Sequence, residues 1–184
     1  MQRKNVFFTL LIFFLAAGSI HAQNAPREVG LQFNGLDFGG YNSFSAFFKK
    51  QKSEQVYKRI RFFVGEVDFQ VFNETATFGL NGGIAIGREK RKQLDDKLMF
   101  YQGPEFSGGL GFRSFSEDEF SANFSARFGW VVGLQHSFND KWAVNMEAIP
   151  GLGAILLVSD DDDAQFSITS RVSNSVNLGI VRKF

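Results

Sequence analysis

The sequence contains no cysteine among its 184 residues, and only three prolines and two histidines. Without cysteine the chain has no disulfide bond, no thiol nucleophile and no cysteine-based metal site. The histidines, His21 and His136, offer little acid–base chemistry. A net charge of +1 gives no support for nucleic-acid binding. We therefore expect no cofactor, no metal centre and no nucleic-acid partner.

A long apolar run is also missing outside the N-terminus. Arg3 and Lys4 precede an apolar segment, and a cleavage site for signal peptidase ends at Ala22. This arrangement predicts a cleaved signal peptide over residues 1–22, followed by one mature domain over residues 23–184. Removing the two leader charges from 20 basic residues leaves 18 against 19 acidic ones, a net charge of −1.

Phenylalanine and glycine are abundant, with 24 and 19 copies, and apolar residues recur every second position instead of with a helical period. Glu119–Phe138 shows this best, with Phe, Ala, Trp and Leu on even positions and Ser, Asn, Arg and Gly on odd ones. Alternate strand side chains point to opposite faces, so this stretch is a strand with one apolar and one polar face. The same period predicts eight strands, at about residues 27–36, 43–50, 57–72, 75–90, 97–115, 119–138, 142–158 and 165–184.

A change of phase in the third strand predicts a β-bulge near Phe62–Phe63. Short links between the strands favour an up-and-down antiparallel barrel. Charge sorts by end in that topology, which supports the strand assignment. The acidic end carries Asp37, Glu74, Glu117–Glu119 and Asp160–Asp163. The basic end carries Arg27, Lys49, Lys50, Lys52, Lys58, Arg59, Arg61, Arg88, Lys90, Arg91, Lys92, Lys97, Lys141, Arg182 and Lys183.

The remaining basic residues lie on polar faces inside strands, together with four acidic residues. We predict that they form an internal charge network with Arg127 at its centre, because Glu105 lies opposite Gly129, a diagonal neighbour of Arg127. An eight-stranded barrel is just wide enough for its side chains, so these groups are expected to pair and fill the lumen instead of lining a conducting path. The predicted network is Glu66, Asp68, Glu105, Arg113, Arg127, Glu147 and Arg171.

Two kinds of barrel fit the alternation. A soluble ligand-binding barrel puts its apolar face inside, whereas an outer-membrane barrel puts it outside against lipid. The large apolar residues would overcrowd an eight-stranded interior, while Gly, Ser, Asn and a few paired charges fit. The sequence therefore predicts an all-β, eight-stranded antiparallel up-and-down transmembrane β-barrel.

The chain ends on Phe184, at the end of an amphipathic strand. With the leader, the topology and the segments Glu89–Lys92 and Tyr101–Phe106, the mature chain resembles the small outer-membrane β-barrel family of Gram-negative bacteria, in the OmpA-barrel, OmpX and PorT-like group. The resemblance implies an outer-membrane location with both termini periplasmic. It also implies that Phe184 is the signal read by the outer-membrane assembly machinery, and that lipopolysaccharide and phospholipid surround the barrel. Phe138 and Trp142 are typical of the interfacial aromatic girdle.

Three further features have competing interpretations. Asp160–Asp163 suits a solvated turn better than a divalent-cation site, because its carboxylates lack the spacing of a preformed loop. His136 suits an interfacial aromatic position better than the base of an acyl hydrolase, since it lies at the predicted periplasmic rim. The basic end would attract anionic phospholipid headgroups as a general effect.

Taken together, the pattern predicts a non-enzymatic outer-membrane barrel with a filled, ion-paired lumen and a structural or interaction role in the cell envelope. The alternatives are a narrow pore for small solutes, a lipid-modifying enzyme, an accessory component of a secretion or assembly system, and a soluble ligand-binding barrel. No particular protein partner follows from the sequence.

Overall fold

The structure, a computed structural model, describes residues 26–34, 43–72, 75–114, 120–159, 165–171 and 176–184. Within this part the chain forms ten β-segments that make one closed, all-antiparallel, eight-stranded barrel. No helix among these residues is long and apolar enough to cross a membrane. The segments are β1 (Arg27–Asn34), β2 (Ser43–Ser53), β3 (Val56–Phe72), β4 (Thr75–Gln93), β5 (Leu98–Ser114), β6 (Phe120–Ser137), β7 (Trp142–Ala148), β8 (Gly151–Ser159), β9 (Gln165–Arg171) and β10 (Asn177–Lys183).

Ten segments make eight strands because β7 and β8 belong to one strand and β9 and β10 belong to another. β7 and β8 both pair with β6 in one register, with Val132 opposite Ala148 and Gly129 opposite Gly151. Pro150 lies between them and has no N–H to donate to the ladder, so pairing breaks locally. β9 and β10 are separated by a short stretch outside the described residues. The predicted number of strands and their antiparallel order are confirmed.

The barrel closes between its first and last segments. β1 pairs antiparallel with β10, and the Phe184 N–H donates to the Arg27 carbonyl oxygen at 2.9 Å. The connections at 54–55, 94–97 and 138–141 lie at the same end as residues 26 and 184, and we call this the terminal end. The opposite end is the far end. Its predicted acidic turns, Asp160–Asp163 among them, lie outside the described residues, as does the predicted leader.

Side chains of the barrel wall alternate between an apolar exterior and a polar interior. Phe62, Phe106 and Phe128 face outward and are 55%, 60% and 55% exposed. Arg59 and Glu105 face inward on the same strands as two of these and are buried. A soluble ligand-binding barrel needs the reverse polarity, so the structure contradicts that alternative.

The β-bulge of the third strand lies later than predicted. The register of β3 against β4 slips between Val64 and Glu66, which makes Gly65 the extra residue. Phe63 therefore faces inward, with its ring 5.6 Å from the Arg61 guanidinium carbon. The prediction placed Phe63 on the apolar outside because hydrophobicity alone does not distinguish an inward aromatic residue from a change of phase.

Several inward aromatic rings lie across glycines on neighbouring strands. A Cβ on any of these glycines would overlap the facing ring, so the absence of a side chain provides the space that the ring occupies. Bulky groups thus fit into a narrow lumen without widening it. The directly opposed pairs are Phe47 with Gly30, Phe63 with Gly83, and Tyr101 with Gly133.

We expect Gly133→Ala to destabilise the barrel, because its methyl group would collide with the Tyr101 ring. The cost of such overpacking is about 1–3 kcal/mol. Gly108→Ala is the matched control, since a Cβ there meets only the Ser125 carbonyl oxygen, at 3.8 Å. Urea titration of the barrel folded in lipid vesicles gives both free energies of unfolding. Equal values for the two variants would contradict the packing described above.

Candidate functional site: the ion-paired lumen

Four carboxylates and four basic side chains form one buried cluster inside the barrel. Each of these residues is at most 8% exposed. They come from six segments, β1 to β5 and β7, so the cluster joins most of the barrel wall across its interior. Four positive and four negative groups give a net charge of zero. We call this set the lumen ion cluster; it comprises Glu28, Lys49, Arg59, Arg61, Glu89, Arg91, Glu105 and Glu147.

Arg59 of β3 is the centre of the cluster. Its Nη1 and Nη2 donate to the two carboxylate oxygens of Glu147 at 3.1 and 2.9 Å. Its Nε lies 2.9 Å from an oxygen of Glu105, and Nη1 lies 3.6 Å from an oxygen of Glu89. A guanidinium group presents its donors in a planar fork, which suits this bidentate pairing. One side chain therefore links β3 to β4, β5 and β7.

Arg91 of β4 forms a second centre nearer the terminal end. Its two terminal nitrogens donate to the two oxygens of Glu28 at 2.8 and 2.7 Å, and its Nε donates to Glu89 at 2.8 Å. The guanidinium carbon also lies 3.5 Å from the centre of the Tyr57 ring. Arg91 thus combines charge pairing with stacking on an aromatic face.

Lys49 and two neutral side chains complete the connections. Lys49 Nζ lies 2.9 Å from a Glu89 oxygen and 4.3 Å from the centre of the Tyr101 ring. The Tyr101 hydroxyl donates to Glu147 at 2.9 Å and accepts from the Asn145 amide at 3.0 Å. The phenol therefore connects the Arg59 centre with the Lys49 side of the cluster.

This arrangement is suited to closing the lumen. Buried ions are costly unless each has partners, and every charged group of the cluster has at least one partner of opposite charge. The aromatic rings and long basic side chains occupy the space between the carboxylates. Its chemistry is electrostatic cross-linking of strands.

Two of the predicted network residues, Glu105 and Glu147, lie in this cluster. The predicted centre was Arg127 of β6, whereas the centre found is Arg59 of β3. Arg127 is part-buried, and its Nη2 donates to the Ile149 carbonyl oxygen, beside the break between β7 and β8. Arg127 therefore supports the interrupted strand at a point where Pro150 limits ladder pairing.

The other predicted network residues are placed less completely. Arg113 lies on β5 and its side chain is exposed. Only the backbone register of Glu66, Asp68 and Arg171 is described, and it sets them opposite Asn81, Gly79 and Gly151. Their membership of a charge network stays a prediction.

The sequence-based prediction missed six members of the cluster. It assigned Lys49, Arg59, Arg61 and Arg91 to the basic end, because they lie near predicted turns. The alternation of side chains along the strand would have found them. Ile60 and Phe62 face outward, so Arg59 and Arg61, at the alternate positions, face inward. Glu28 and Glu89 follow from the same rule.

The predicted rim residues lie on the outside of the terminal end. Phe138 and Trp142 are exposed on either side of the connection between β6 and β7, and the His136 ring meets Phe138 edge to face at 5.7 Å. Phe184 follows β10 and is exposed. The girdle and assembly-signal roles stay predictions. Within the described ranges no group of three or more His, Asp or Glu side chains is placed to hold a metal ion.

A closed eight-stranded antiparallel barrel with an apolar exterior and an ion-paired lumen defines the class of fold. Among solved structures, Ail, the attachment invasion locus protein of Yersinia pestis, in complex with the heparin analogue sucrose octasulfate, is 11% identical, with 88% of this chain and 100% of that chain covered and a TM-score of 0.50. Neisserial surface protein A is 13% identical over 87% of this chain and 96% of its own, with a TM-score of 0.48. A major outer membrane protein from Thermus thermophilus is 12% identical over 88% and 100%, with a TM-score of 0.43.

No protein-family model and no curated protein matches the sequence. At these low identities the likeness is one of fold. It confirms, at that level, the predicted resemblance to small eight-stranded outer-membrane barrels.

We expect Arg59→Gln to lower the free energy of unfolding by about 3–5 kcal/mol, because it leaves the buried Glu147 without its cation and removes one of the two cations that pair with Glu105. Adding Glu147→Gln should restore part of the lost stability, because it removes the buried carboxylate that Arg59→Gln leaves unpaired. The expected coupling energy in the double-mutant cycle is about 0.5–3 kcal/mol, measured by urea unfolding.

Lys97→Gln, in the exposed connection between β4 and β5, is the control and should change stability little. Strict additivity of Arg59→Gln and Glu147→Gln would show that this pair is not coupled.

Proposed function

We propose that this protein is an integral outer-membrane β-barrel of a Gram-negative bacterium, held shut by the lumen ion cluster, with a structural or interaction role in the envelope and no enzymatic activity. The observation that carries the proposal is the polarity of the wall. Phe62, Phe106, Phe128 and Ile168 are all more than half exposed outside, while charged residues are buried inside.

Energetics favour lipid as the surrounding solvent. Apolar surface in water costs about 25 cal/mol per Å², and soluble proteins rarely expose patches larger than a few hundred Å². Closed barrels are one of two backbone arrangements that satisfy their own hydrogen bonds in a bilayer. Together with the predicted signal peptide, these points support export and insertion in the outer membrane.

Strand length supports a barrel that extends beyond the bilayer. β3 to β6 contain 17 to 19 residues each. At ~3.3 Å per residue and a tilt of ~40°, such strands rise about 45 Å, against an apolar band of ~25 Å. With the terminal end in the periplasm, the excess length would project outside the cell and offer a surface for an interaction partner.

Cell fractionation tests the location. We expect the mature protein in the outer-membrane fraction, and we expect unboiled samples to migrate differently from boiled ones on a denaturing gel, because a folded barrel resists the detergent. An outer-membrane barrel whose terminal aromatic residue has been removed serves as a misfolding control. Recovery of the protein from the soluble periplasm without detergent would overturn the proposal.

Planar-bilayer recording tests the closed lumen. Wild-type protein should show conductance near background, whereas the Arg59→Ala/Glu147→Ala pair should raise it, since it removes two large side chains from the centre of the lumen ion cluster. Lys97→Ala/Lys141→Ala, in exposed turns at the terminal end, is the matched control and should stay at background. Steady wild-type conductance well above background would favour the narrow pore instead.

A further inference from the structure

Four basic side chains form a row across the outside of the barrel. Arg27, Lys50, Lys58 and Arg88 come from β1, β2, β3 and β4, and each lies directly opposite the next in strand register. One sequence neighbour of each belongs to the lumen ion cluster, so the row itself faces outward. We call it the basic row. Like charges directly opposite one another across strands repel and lower stability.

No ion pair to a side chain of the basic row is found within the described ranges. The ion pairs that these four strands make within the described ranges lie in the lumen ion cluster, which includes their carboxylates Glu28 and Glu89. The Nε of Arg27 is buried and has no hydrogen-bond partner. Lys52 and Lys90 add two exposed cations on the same face. An anion from outside the chain would therefore relieve the repulsion along this side of the wall.

An apolar row lies immediately beside the basic row. Val29, Phe48, Ile60 and Ile86 are directly opposed across the same four strands, two residues further from the terminal end. Two residues correspond to about 5 Å along the barrel axis at a tilt of ~40°. Cationic and apolar surfaces thus meet along a sharp boundary.

The basic row also lies progressively further from the terminal end from β1 to β4. Arg27 is the first residue of β1, whereas Arg88 lies five residues before the end of β4 at Gln93. Strands ~4.8 Å apart and tilted by ~40° shift the row by about 3 Å per strand, so Arg88 lies about 9 Å deeper than Arg27. There it shares a shallow depression with Ile86, Pro104 and Phe106. Such a depth suits the junction between headgroups and acyl chains.

We propose that the basic row binds the phosphate of an anionic phospholipid in the leaflet at the terminal end, with the acyl chains of that lipid on the adjacent apolar row. This inference rests on the proposed membrane location. Arginine forks at the two ends of the row suit bidentate phosphate contacts, and the flexible lysines between them extend their ammonium groups towards the headgroup layer.

The chemistry of the surface favours lipid over an acidic protein. The apolar row continues into the apolar exterior of the barrel, with Ile86 directly opposite Phe106. A soluble protein bound at the basic row would therefore compete with lipid acyl chains for this surface. It also favours an anionic lipid over a zwitterionic one, because the amine of a zwitterionic headgroup would add another cation to a row that lacks anions.

Native mass spectrometry of the refolded barrel in detergent, titrated with phosphatidylglycerol or phosphatidylcholine, tests the proposal. Wild-type protein should prefer phosphatidylglycerol. Lys50→Gln/Lys58→Gln should weaken that binding about fivefold per removed charge. Lys97→Gln/Lys141→Gln removes the same charge from exposed turns at the same end and should bind as wild type does. The heat-dependent gel shift shows that each variant is folded.

Three outcomes would overturn the proposal. The first is equal loss in both double variants, which indicates a general attraction to the basic end. The second is no preference for phosphatidylglycerol in wild type, and the third is its ready displacement by inorganic phosphate. Because refolded protein is used, these results are independent of fractionation: a protein found in the periplasm would fail the location test whatever its lipid preference.

Discussion

The charges buried in the lumen constrain the rest of this structure. Moving an ion from water into a protein interior costs several kcal/mol even after relaxation, and only close partners and hydrogen bonds offset that cost. Arg59 obtains its partners from three other strands, so a register error in β4, β5 or β7 would leave it or a carboxylate unpaired. The barrel interior thereby specifies which strand segments lie side by side.

The small volume of the lumen is the second constraint, and glycine residues in the wall make room for the side chains inside. An eight-stranded barrel has little room inside. Rings such as Phe47 and Tyr101 fit because they lie over Gly30 and Gly133, and the same rings lie within 5 Å of Lys49 Nζ. Glycine therefore provides space inside the wall, while phenylalanine supplies some of the inward rings as well as much of the apolar surface outside.

β3 shows how one strand meets three environments. Lys58 faces the proposed headgroup layer, Arg59 lies at the centre of the lumen ion cluster, and Phe62 faces the apolar exterior. Period-two alternation separates lumen from exterior, and position along the strand separates headgroup from acyl depth. The basic residues near the terminal end therefore belong to two populations, one paired inside the lumen and one on the outside of the wall.

Much of the fold was predictable because its main signal is local. Alternation over a long strand survives small errors, and the predicted bounds of the fifth and sixth strands, 97–115 and 119–138, lie within one residue of β5 and β6. The bulge at Gly65 and the break at Pro150 were harder, since one extra or missing ladder bond changes the pattern over only a few residues. The cluster was harder still, because the partners of Arg59 are distant in sequence.

The sequence by itself determined the strands, their two unlike faces and the direction in which the apolar face points, because these depend on residue parity and on the size of the groups to be enclosed. Only the tertiary structure decided which charges meet. Arg59 and Glu147 are 88 residues apart and come together through barrel closure and the stagger between strands. That stagger also aligns Arg27, Lys50, Lys58 and Arg88 into one row on the outside. Parity assigns a side chain to a face, but its neighbours on that face depend on the register of every strand between them.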